Sequence, residues 1–260
     1  MAILLTSCDE VGLDVRLVYV EPETIIPTVA HRAVLIEDYT GQYCVNCPNA
    51  TKVIEDLIGQ YGEQTVIAVA FHSGPFGKDK KGVPSPLYTD EGDQYFNYWG
   101  LVYQPVGVID RLGPVDYPDW IDGVNYELAL DLLVGVYVGP VYHSATHEAE
   151  VSVNVRFINE AESPIDGTLQ VWLVEDSIDS FQYMPDGSVN EHYNHMHVFR
   201  KSISDMWGDP LLVSSETAVK TYKFRFDDAW LPEHCSIVAF FCDENGLLQQ
   251  VAKQKFQTIL

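Results

Sequence analysis

The feature that most constrains the fold of this chain is a pair of cysteines, Cys44 and Cys47, followed at once by Pro48. The apolar run at residues 33–36, before the pair, is typical of a buried strand. Residues 50–61, after the pair, carry apolar side chains at helical spacing, and proline is tolerated in the first turn of a helix. The pair is therefore expected at the junction between a buried strand and the N-terminus of an amphipathic helix.

The position of the pair favours thiol–disulfide chemistry. A helix N-terminus presents unpaired N–H groups and partial positive charge, which lower the pKa of a nearby thiol. We therefore expect Cys44 to be the nucleophile and Cys47, one turn into the helix, to resolve the mixed disulfide. Asp38, at the end of the preceding strand, is the candidate for a buried acid that takes the proton from Cys47, with Glu37 as its rival.

A third strand is predicted at residues 105–110, directly after Gln104. Pro105 at its start is expected to follow a cis peptide bond and to present backbone for β-like pairing with a substrate chain. The apolar run at 65–71 predicts a strand that completes a right-handed βαβ unit with the first strand. The same half is expected to contain a loop insertion at 72–90, a helix at 91–99 and a final helix at 119–133.

The second half of the chain changes to the two-residue periodicity of half-buried antiparallel strands. The turn sequence at 243–246 predicts a hairpin between strands at 237–242 and 247–255. About seven strands in this half are typical of an immunoglobulin-like β-sandwich. Polar and apolar side chains alternate at 149–157, 169–173 and 222–226.

Cys235 and Cys242 bracket an apolar run that is typical of one buried strand. Their spacing places the two side chains on opposite faces and roughly 23 Å apart, beyond disulfide reach, so we expect two unpaired buried thiols. His192, His195 and His197 raise the alternative of a metal site, with His195 and His197 on one strand face. Because no carboxylate partner is evident beside them, we predict neither a metal nor another cofactor.

The net charge of −23 argues against nucleic acids and anionic lipid headgroups as partners, because both repel an acidic chain. The chain has no run of 18 apolar residues, so no transmembrane helix is predicted. Residues 5–8 (Leu-Thr-Ser-Cys) resemble a bacterial lipobox, so we expect acylation of Cys8 and membrane contact through that lipid anchor alone. The alternative is a cytosolic protein that begins with a short hydrophobic segment.

Residues 35–48 and 99–113 together resemble the thioredoxin superfamily, and the similarity covers roughly residues 31–138. Tyr43 stands where thioredoxins usually have Trp, and residues 45–46 (Val-Asn) replace the usual dipeptide. The resemblance implies that Cys44 is the attacking cysteine, Cys47 the resolving cysteine, Asp38 the buried acid and Pro105 the cis proline.

More narrowly, residues 35–48, 173–176 and 195–200 resemble the 28-kDa outer membrane protein-related lipoproteins of Gram-negative anaerobes. This resemblance implies an α/β plus all-β fold and a location in the cell envelope, at the outer membrane, either periplasmic or surface-exposed. The predicted parts are a lipoprotein signal remnant and tether at 1–30, a thioredoxin-like domain at 31–140 and an immunoglobulin-like β-sandwich at 141–260.

Two functions are compatible with these features. The first is an extracytoplasmic thiol–disulfide oxidoreductase that acts on a protein thiol, disulfide or redox partner. It would be of reductase or isomerase type, because the nearby Glu37 and Asp38 raise thiol pKa values and disfavour a strongly oxidising disulfide. The alternative is a non-enzymatic surface binding protein of adhesin type, with the thioredoxin-like domain as scaffold. A Cys44 sulfur covered by the insertion at 72–90 would favour this alternative.

Overall fold

The first half of the chain is built around two parallel strands joined by a helix. The structure, a computed structural model, describes residues 31–80, 85–159 and 163–259. The predicted signal remnant and tether at 1–30, with Cys8, lie outside the described residues. β1 (Val34–Thr40) runs parallel to β2 (Val66–His72), and α1 (Cys47–Tyr61) connects them. The predicted strand–helix–strand unit is therefore confirmed.

The elements that follow in this half agree with most of the sequence predictions. α2 (Gly74–Gly77) is a short helix inside the segment predicted as a loop insertion, and α3 (Asp90–Tyr98) confirms the next helix. β3 (Val106–Ile109) pairs antiparallel with β1, and β4 (Pro114–Val115) pairs with β3.

The last helix of this half is shorter than the predicted 119–133. A 3-10 turn leads into α4 (Trp120–Leu128), which ends five residues before the predicted position. Leu133 belongs to the approach to the next strand instead, because its carbonyl oxygen accepts a hydrogen bond from the N–H of Ile158 at 2.9 Å.

The second half is almost entirely β-structure, as predicted, and includes the hairpin formed by its last two long strands. The strands are β5 (Val134–His143), β6 (Glu148–Phe157), β7 (Ile165–Glu175), β8 (Ile178–Tyr183), β9 (Val189–His195), β10 (Val198–Ser202), β11 (Asp209–Val213), β12 (Ala218–Arg225), β13 (Cys235–Asp243), β14 (Leu248–Lys255) and β15 (Gln257–Ile259).

One large sheet runs through both halves. Within the described ranges it has nine strands in the order β14-β13-β7-β10-β2-β1-β3-β4, with β11 paired to β7. The halves join where Val198 of β10 pairs with Ala70 of β2, whose N–H donates to the carbonyl of His197 at 2.8 Å. Because β5 runs across residue 140, the predicted boundary between 31–140 and 141–260 lies inside a strand, and the two predicted domains share a sheet.

Layers of apolar side chains cover both faces of this sheet. In the second half, alternate residues of β7 and β13 pack against a four-stranded sheet of the order β12-β6-β5-β15. The opposite face of β7 and β13 packs together with α3, while α1 and α4 cover the first-half strands from the other side. The molecule is thus rich in β-structure, with few helices and with mixed sheets. None of the described helices is long and apolar enough to cross a membrane.

The two cysteines of β13 confirm the pattern of a strand buried on both faces. Cys235 and Cys242 are unpaired and buried, and they belong to different hydrophobic clusters on opposite faces of the strand. Burial raises the pKa of both thiols, to about 12 for Cys242. Such thiols are poor nucleophiles at neutral pH, so their role is structural.

Candidate functional site

The cysteine pair lies where the turn after β1 enters α1. Cys47 is the first residue of α1, and the sulfurs of Cys44 and Cys47 are 2.13 Å apart, at disulfide distance. Pro48 occupies the first turn of the helix, where its missing N–H leaves no hydrogen bond unmade. Both cysteines are buried, with 2% of Cys44 and 1% of Cys47 exposed.

Asp38 of β1 lies on the same side of the sheet as Cys47, and both residues line one cavity. Only 2% of Asp38 is exposed, and its Oδ1 has no hydrogen-bond partner among the described residues. Burial raises the pKa of Asp38 to about 7, because a carboxylate loses its hydration there and gains no compensating charge. The carboxyl therefore exchanges a proton near neutral pH, beside the disulfide.

Glu37, the rival candidate, points to the opposite face of β1. Its Oε1 accepts from Arg111 at 3.1 Å, and its Oε2 accepts from Tyr39 at 2.7 Å and from Trp99 at 3.3 Å. Alternation along the strand separates the two neighbouring carboxyls. Glu37 is thus part of a buried ion pair on the far side of the sheet, and its charge does not act beside the cysteines as the sequence reasoning assumed.

Pro105 lies at the start of β3, and the peptide bond between Gln104 and Pro105 is cis, as the sequence predicts. The pairing of Tyr39 with Val106 places Pro105 beside the end of β1, from which the cysteine turn departs. The side chain of Gln104 connects the start of β3 to the start of α2, because its amide donates a hydrogen bond to the carbonyl of Ser73 at 2.9 Å. The prediction that Pro105 pairs with a substrate chain stays a prediction.

A hairpin from the second half covers the cysteine turn. β8 and β9 pair with each other in a separate two-stranded sheet. The side chain of Gln182 in β8 donates to the carbonyl of Cys44 at 3.0 Å, and the N–H of Tyr183 donates to the carbonyl of Gln42 at 2.9 Å. The ring of Tyr43 lies 5.2 Å from Phe181 and 5.4 Å from Tyr183. The hairpin is therefore bound to the cysteine turn through backbone and aromatic contacts.

The insertion at 72–90 contributes to the same cover. The carbonyl of Phe76 in α2 accepts a hydrogen bond from the N–H of Tyr43 at 3.2 Å, and Lys80 lies over the Tyr43 ring at 5.0 Å. A Cβ on Gly41 would lie 2.2 Å from the carbonyl carbon of Phe76, so a glycine is required at this close approach. The cysteine turn is thus enclosed from two sides.

A cavity of about 440 Å³ opens between α1, the first-half sheet and the covering hairpin. Two buried histidines, His72 and His195, face each other in its wall with ring centroids 5.1 Å apart. Burial lowers the pKa of both, to about 4 for His195, so both are neutral at physiological pH. The lining residues are Asp38, Thr40, Cys47, Pro48, Thr51, Ile54, Glu55, Ile58, Gly59, Glu63, Ala68, Ala70, His72, Gln182, Tyr193, Asn194, His195, Met196 and His197.

The three histidines weighed as metal ligands do not converge. His195 ends β9, whereas His197 lies in the following turn with φ 59° and pairs with Asp176 at 2.9 Å. His192 is exposed and pairs with Asp179 at 3.0 Å. The expectation that His195 and His197 share a strand face is therefore wrong, because the left-handed turn separates them. Within the part of the chain that the structure describes, no group of three metal-binding side chains is present.

Sequence reasoning did not identify His72 and Gln182 as site residues. His72 pairs in register with Thr40 at the end of β2, and aligning the ends of the two predicted parallel strands would have pointed to it. No local signal marks Gln182, because its partner Cys44 is 138 residues away.

A model of the family described as outer membrane protein Omp28 matches residues 92–259, well over half of the chain. The match begins after the cysteine pair, so it carries no information on Cys44 or Cys47. No curated protein matches the chain.

Solved structures are similar to the chain at low sequence identity, and the first two named here share its fold. HBP35 of Porphyromonas gingivalis is 13% identical, with a TM-score of 0.66 over 88% of this chain and 76% of that chain. A structural-genomics target from Agrobacterium tumefaciens is 15% identical, with a TM-score of 0.54 over 86% of this chain and 95% of that chain. A domain of the outer membrane lipoprotein Omp28 from P. gingivalis is 19% identical over 50% of this chain and 93% of that domain, with a TM-score of 0.36.

The family match confirms the predicted resemblance to outer membrane proteins of this kind. It also confirms the predicted location in the cell envelope, at the outer membrane. With residues 92–259 matched, this chain belongs to the Omp28 family of outer membrane proteins.

Proposed function

We propose that the chain is an extracytoplasmic thiol–disulfide oxidoreductase in which Cys44 and Cys47 alternate between disulfide and dithiol. Asp38 carries the proposal, as a buried carboxyl whose Oδ1 has no partner among the described residues and which lines the same cavity as Cys47. Burying such a group without a partner destabilises the fold, and strongly perturbed pKa values concentrate at functional sites.

The residues take the following roles in the dithiol form. The N-terminus of α1 lowers the pKa of the Cys44 thiol, which attacks a substrate disulfide. Cys47 then attacks the Cys44 sulfur of the mixed disulfide and releases the second substrate thiol. Asp38 accepts the proton of Cys47, which its pKa of about 7 allows near neutral pH. Pro105 supplies backbone near the pair for pairing with a bound substrate.

The proposal includes the finer parts of the architecture. Residues 31–140 are thioredoxin-like, supported by the parallel β1–α1–β2 unit, the antiparallel β3 and the cis bond before Pro105. Residues 141–260 form an immunoglobulin-like β-sandwich, supported by two sheets packed face to face. Acylation of Cys8 anchors the chain as a lipoprotein, with no other contact to the membrane.

A non-enzymatic surface binding protein is the second candidate, and one observation favours it. The two cysteines are 2% and 1% exposed and lie under the β8–β9 hairpin, so a protein disulfide has no open route to Cys44. In this case the disulfide is structural, and the exposed surface of the second half binds the partner.

An exchange assay with a small disulfide separates the two functions. The wild type and Cys44→Ser are compared as catalysts of electron transfer from dithiothreitol to 2-hydroxyethyl disulfide. We expect the wild type to exceed the variant by at least about tenfold, since without Cys44 the pair cannot alternate between disulfide and dithiol. Equal rates would favour the binding function. Equilibration with glutathione is expected to give a potential nearer to that of thioredoxin, about −270 mV, than to that of DsbA, about −120 mV.

A further inference from the structure

The cavity beside the disulfide has the dimensions of a small-molecule site. Its volume of about 440 Å³ falls within the range typical of ligand pockets. The space exists because the sheet contributes Ala68 and Ala70 to its floor, where larger side chains would fill it. Thr51 of α1 and Tyr193 of the hairpin stand on the other two walls.

The cavity reaches one cysteine of the pair. Cys47 is among the described residues that line it, and Cys44 is not. The Cys44 side is closed by Gln182, whose amide holds the carbonyls of Cys44 at 3.0 Å and of Gly41 at 3.3 Å. A small molecule in the cavity therefore meets Cys47, whereas a protein chain is kept from the pair by the hairpin.

Two buried polar atoms in the wall lack partners. Oδ1 of Asp38 and Nδ1 of His72 have no hydrogen-bond partner among the described residues, and their side chains are 2% and 3% exposed. Buried polar atoms are rarely left in this state unless a water or a ligand completes them. Both residues line the cavity, so a bound molecule with polar groups would satisfy them.

The charge of the lining is negative. Asp38, Glu55 and Glu63 contribute carboxyl groups, and no lysine or arginine lines the cavity within the described ranges. His72 and His195 are neutral, because burial lowers their pKa values. The remaining histidine, His197, pairs with Asp176 at 2.9 Å. The potential in the cavity favours cations over anions.

We propose that this cavity is the entrance for low-molecular-weight thiols and disulfides of neutral or positive charge, which exchange with Cys47, while the β8–β9 hairpin excludes protein substrates. The inference rests on the oxidoreductase function proposed above and names its substrate class. It also reverses the order of the two cysteines for these substrates.

The exchange balances in two steps, with the small thiol as reductant. A thiolate attacks Sγ of Cys47, a new S–S bond forms there, and the Cys44–Cys47 bond breaks as Cys44 leaves as a thiolate near the N-terminus of α1. A second thiolate attacks the substrate sulfur, the small disulfide departs, and the Cys47 thiolate takes the proton held by Asp38. Of the two protons lost by the substrate thiols, one ends on Cys44 and the other restores the proton that Asp38 gave to Cys47.

The first test compares thiols of similar size and different charge on the oxidised full-length protein. Rates of disulfide loss are measured with cysteamine, 2-mercaptoethanol and mercaptoacetate. Each rate is divided by the thiolate concentration and by the corresponding rate for an oxidised peptide of residues 41–50. We expect the normalised rate to be highest for the cationic cysteamine, intermediate for the neutral 2-mercaptoethanol and lowest for the anionic mercaptoacetate. The highest and lowest rates should differ by about three- to tenfold, and the difference should shrink in ~1 M salt. A reversed order, or one shared by the peptide, would overturn the inference.

Matched variants test whether the cavity causes this preference for cationic thiols. Glu55 is exposed at the cavity, so Glu55→Lys is expected to abolish or invert the charge order. Glu216 is also exposed but does not line the cavity, so Glu216→Lys is expected to leave the order unchanged. Ala70→Leu fills the floor and is expected to slow all three thiols by about tenfold. Its fold is checked by urea unfolding, and the Glu55 comparison stands without it. Equal effects of the two lysine variants would refute the assignment of the cavity.

The second test identifies the sulfur and the substrate class. Acid quenching and peptide mapping of the cysteamine adduct are expected to find it on Cys47, and an adduct on Cys44 would contradict the inference. For each disulfide, the rate with the reduced protein is divided by the rate with the reduced peptide. This ratio is expected to be at least about tenfold larger for 2-hydroxyethyl disulfide than for insulin. If neither disulfide reacts faster with the reduced protein than with the reduced peptide, the oxidoreductase function itself fails. If insulin reacts as fast as the small disulfide, only the entrance inference fails.

Discussion

Glu37 and Asp38 are neighbours in sequence and both are buried in β1, but their side chains have different surroundings. Glu37 is 0% exposed and is compensated by Arg111, Tyr39 and Trp99 on one face of the sheet. Asp38 is 2% exposed and faces a cavity on the other side, where its Oδ1 has no partner among the described residues. The one-residue step along a strand decides this difference, because it reverses the face to which a side chain points.

Glu37 is held by partners that support the fold, whereas Oδ1 of Asp38 has none among the described residues. Removing one partner of a buried, fully paired charge is strongly destabilising. A buried carboxyl without partners keeps its proton to higher pH and destabilises the fold when it ionises. One face of β1 thus carries an ion-paired carboxyl, and the other carries a carboxyl whose Oδ1 has no partner among the described residues. Three measurements test this difference.

The largest effect is expected for Glu37→Gln, which removes the charge opposite Arg111. The guanidinium lies between the rings of Trp99 and Phe240, with its side chain 7% exposed, and would be left buried without compensation. We expect a loss of about 3–5 kcal/mol in the free energy of unfolding, measured in urea.

A double variant serves as its control. Adding Arg111→Met to Glu37→Gln removes the unpaired charge as well, and is expected to restore much of the stability. A loss below about 1 kcal/mol for Glu37→Gln alone would show that the pair is not structural.

A smaller effect of opposite sign is expected for Asp38→Asn. The folded-state pKa of about 7 is above the unfolded value of 3.8, so the folded wild type holds a proton that the unfolded chain has lost. The free energy of unfolding of the wild type therefore falls between about pH 4 and pH 7. The variant escapes this loss, and we expect it to be more stable by on the order of 2–4 kcal/mol above pH 7 and by little below pH 4.

Asp176→Asn is the matched control, measured by urea unfolding over the same pH series. Burial opposes ionisation of Asp176, but the hydrogen bond and charge of His197 and the charge of Lys253 outweigh it, and its pKa is below the usual range. Its contribution to stability is present above pH 4 and is lost as pH falls below that value. Asp176→Asn should therefore destabilise at neutral pH, and the same sign for both variants would contradict the comparison.

The smallest effect is expected for Lys52→Ala on the outer surface of α1. Lys52 and Asp56 form an ion pair at 3.5 Å, with side chains 71% and 67% exposed. Exposed pairs one helical turn apart contribute about 0.3–0.5 kcal/mol, which salt screens. A change in unfolding free energy that exceeded about 1 kcal/mol, or that persisted in ~1 M salt, would show that burial is not what distinguishes the Glu37 pair.

Much of the fold was predictable wherever the signal is local. The apolar spacing after Pro48 correctly predicted α1, and the strand runs on either side correctly predicted β1 and β2. Period-two alternation and the turn at residues 243–246 correctly predicted the hairpin of β13 and β14. The opposite-face burial of Cys235 and Cys242 followed from strand geometry alone. The length of α4 was missed, because pairing near Leu133 overrides a helical pattern that continues past Leu128.

Local patterns were enough to predict most helices and strands and the reactive cysteine pair, because strand and helix periodicity and the junction at Cys47 depend on neighbours in the chain. Contacts between distant segments were needed to distinguish Glu37 from Asp38, to join β10 to β2 and to place Gln182 over Cys44. Each of these outcomes depends on contacts between distant segments, and local patterns carry no information on which segments meet. The cysteine pair was therefore recognisable from sequence, while its enclosure and the cavity beside it were not.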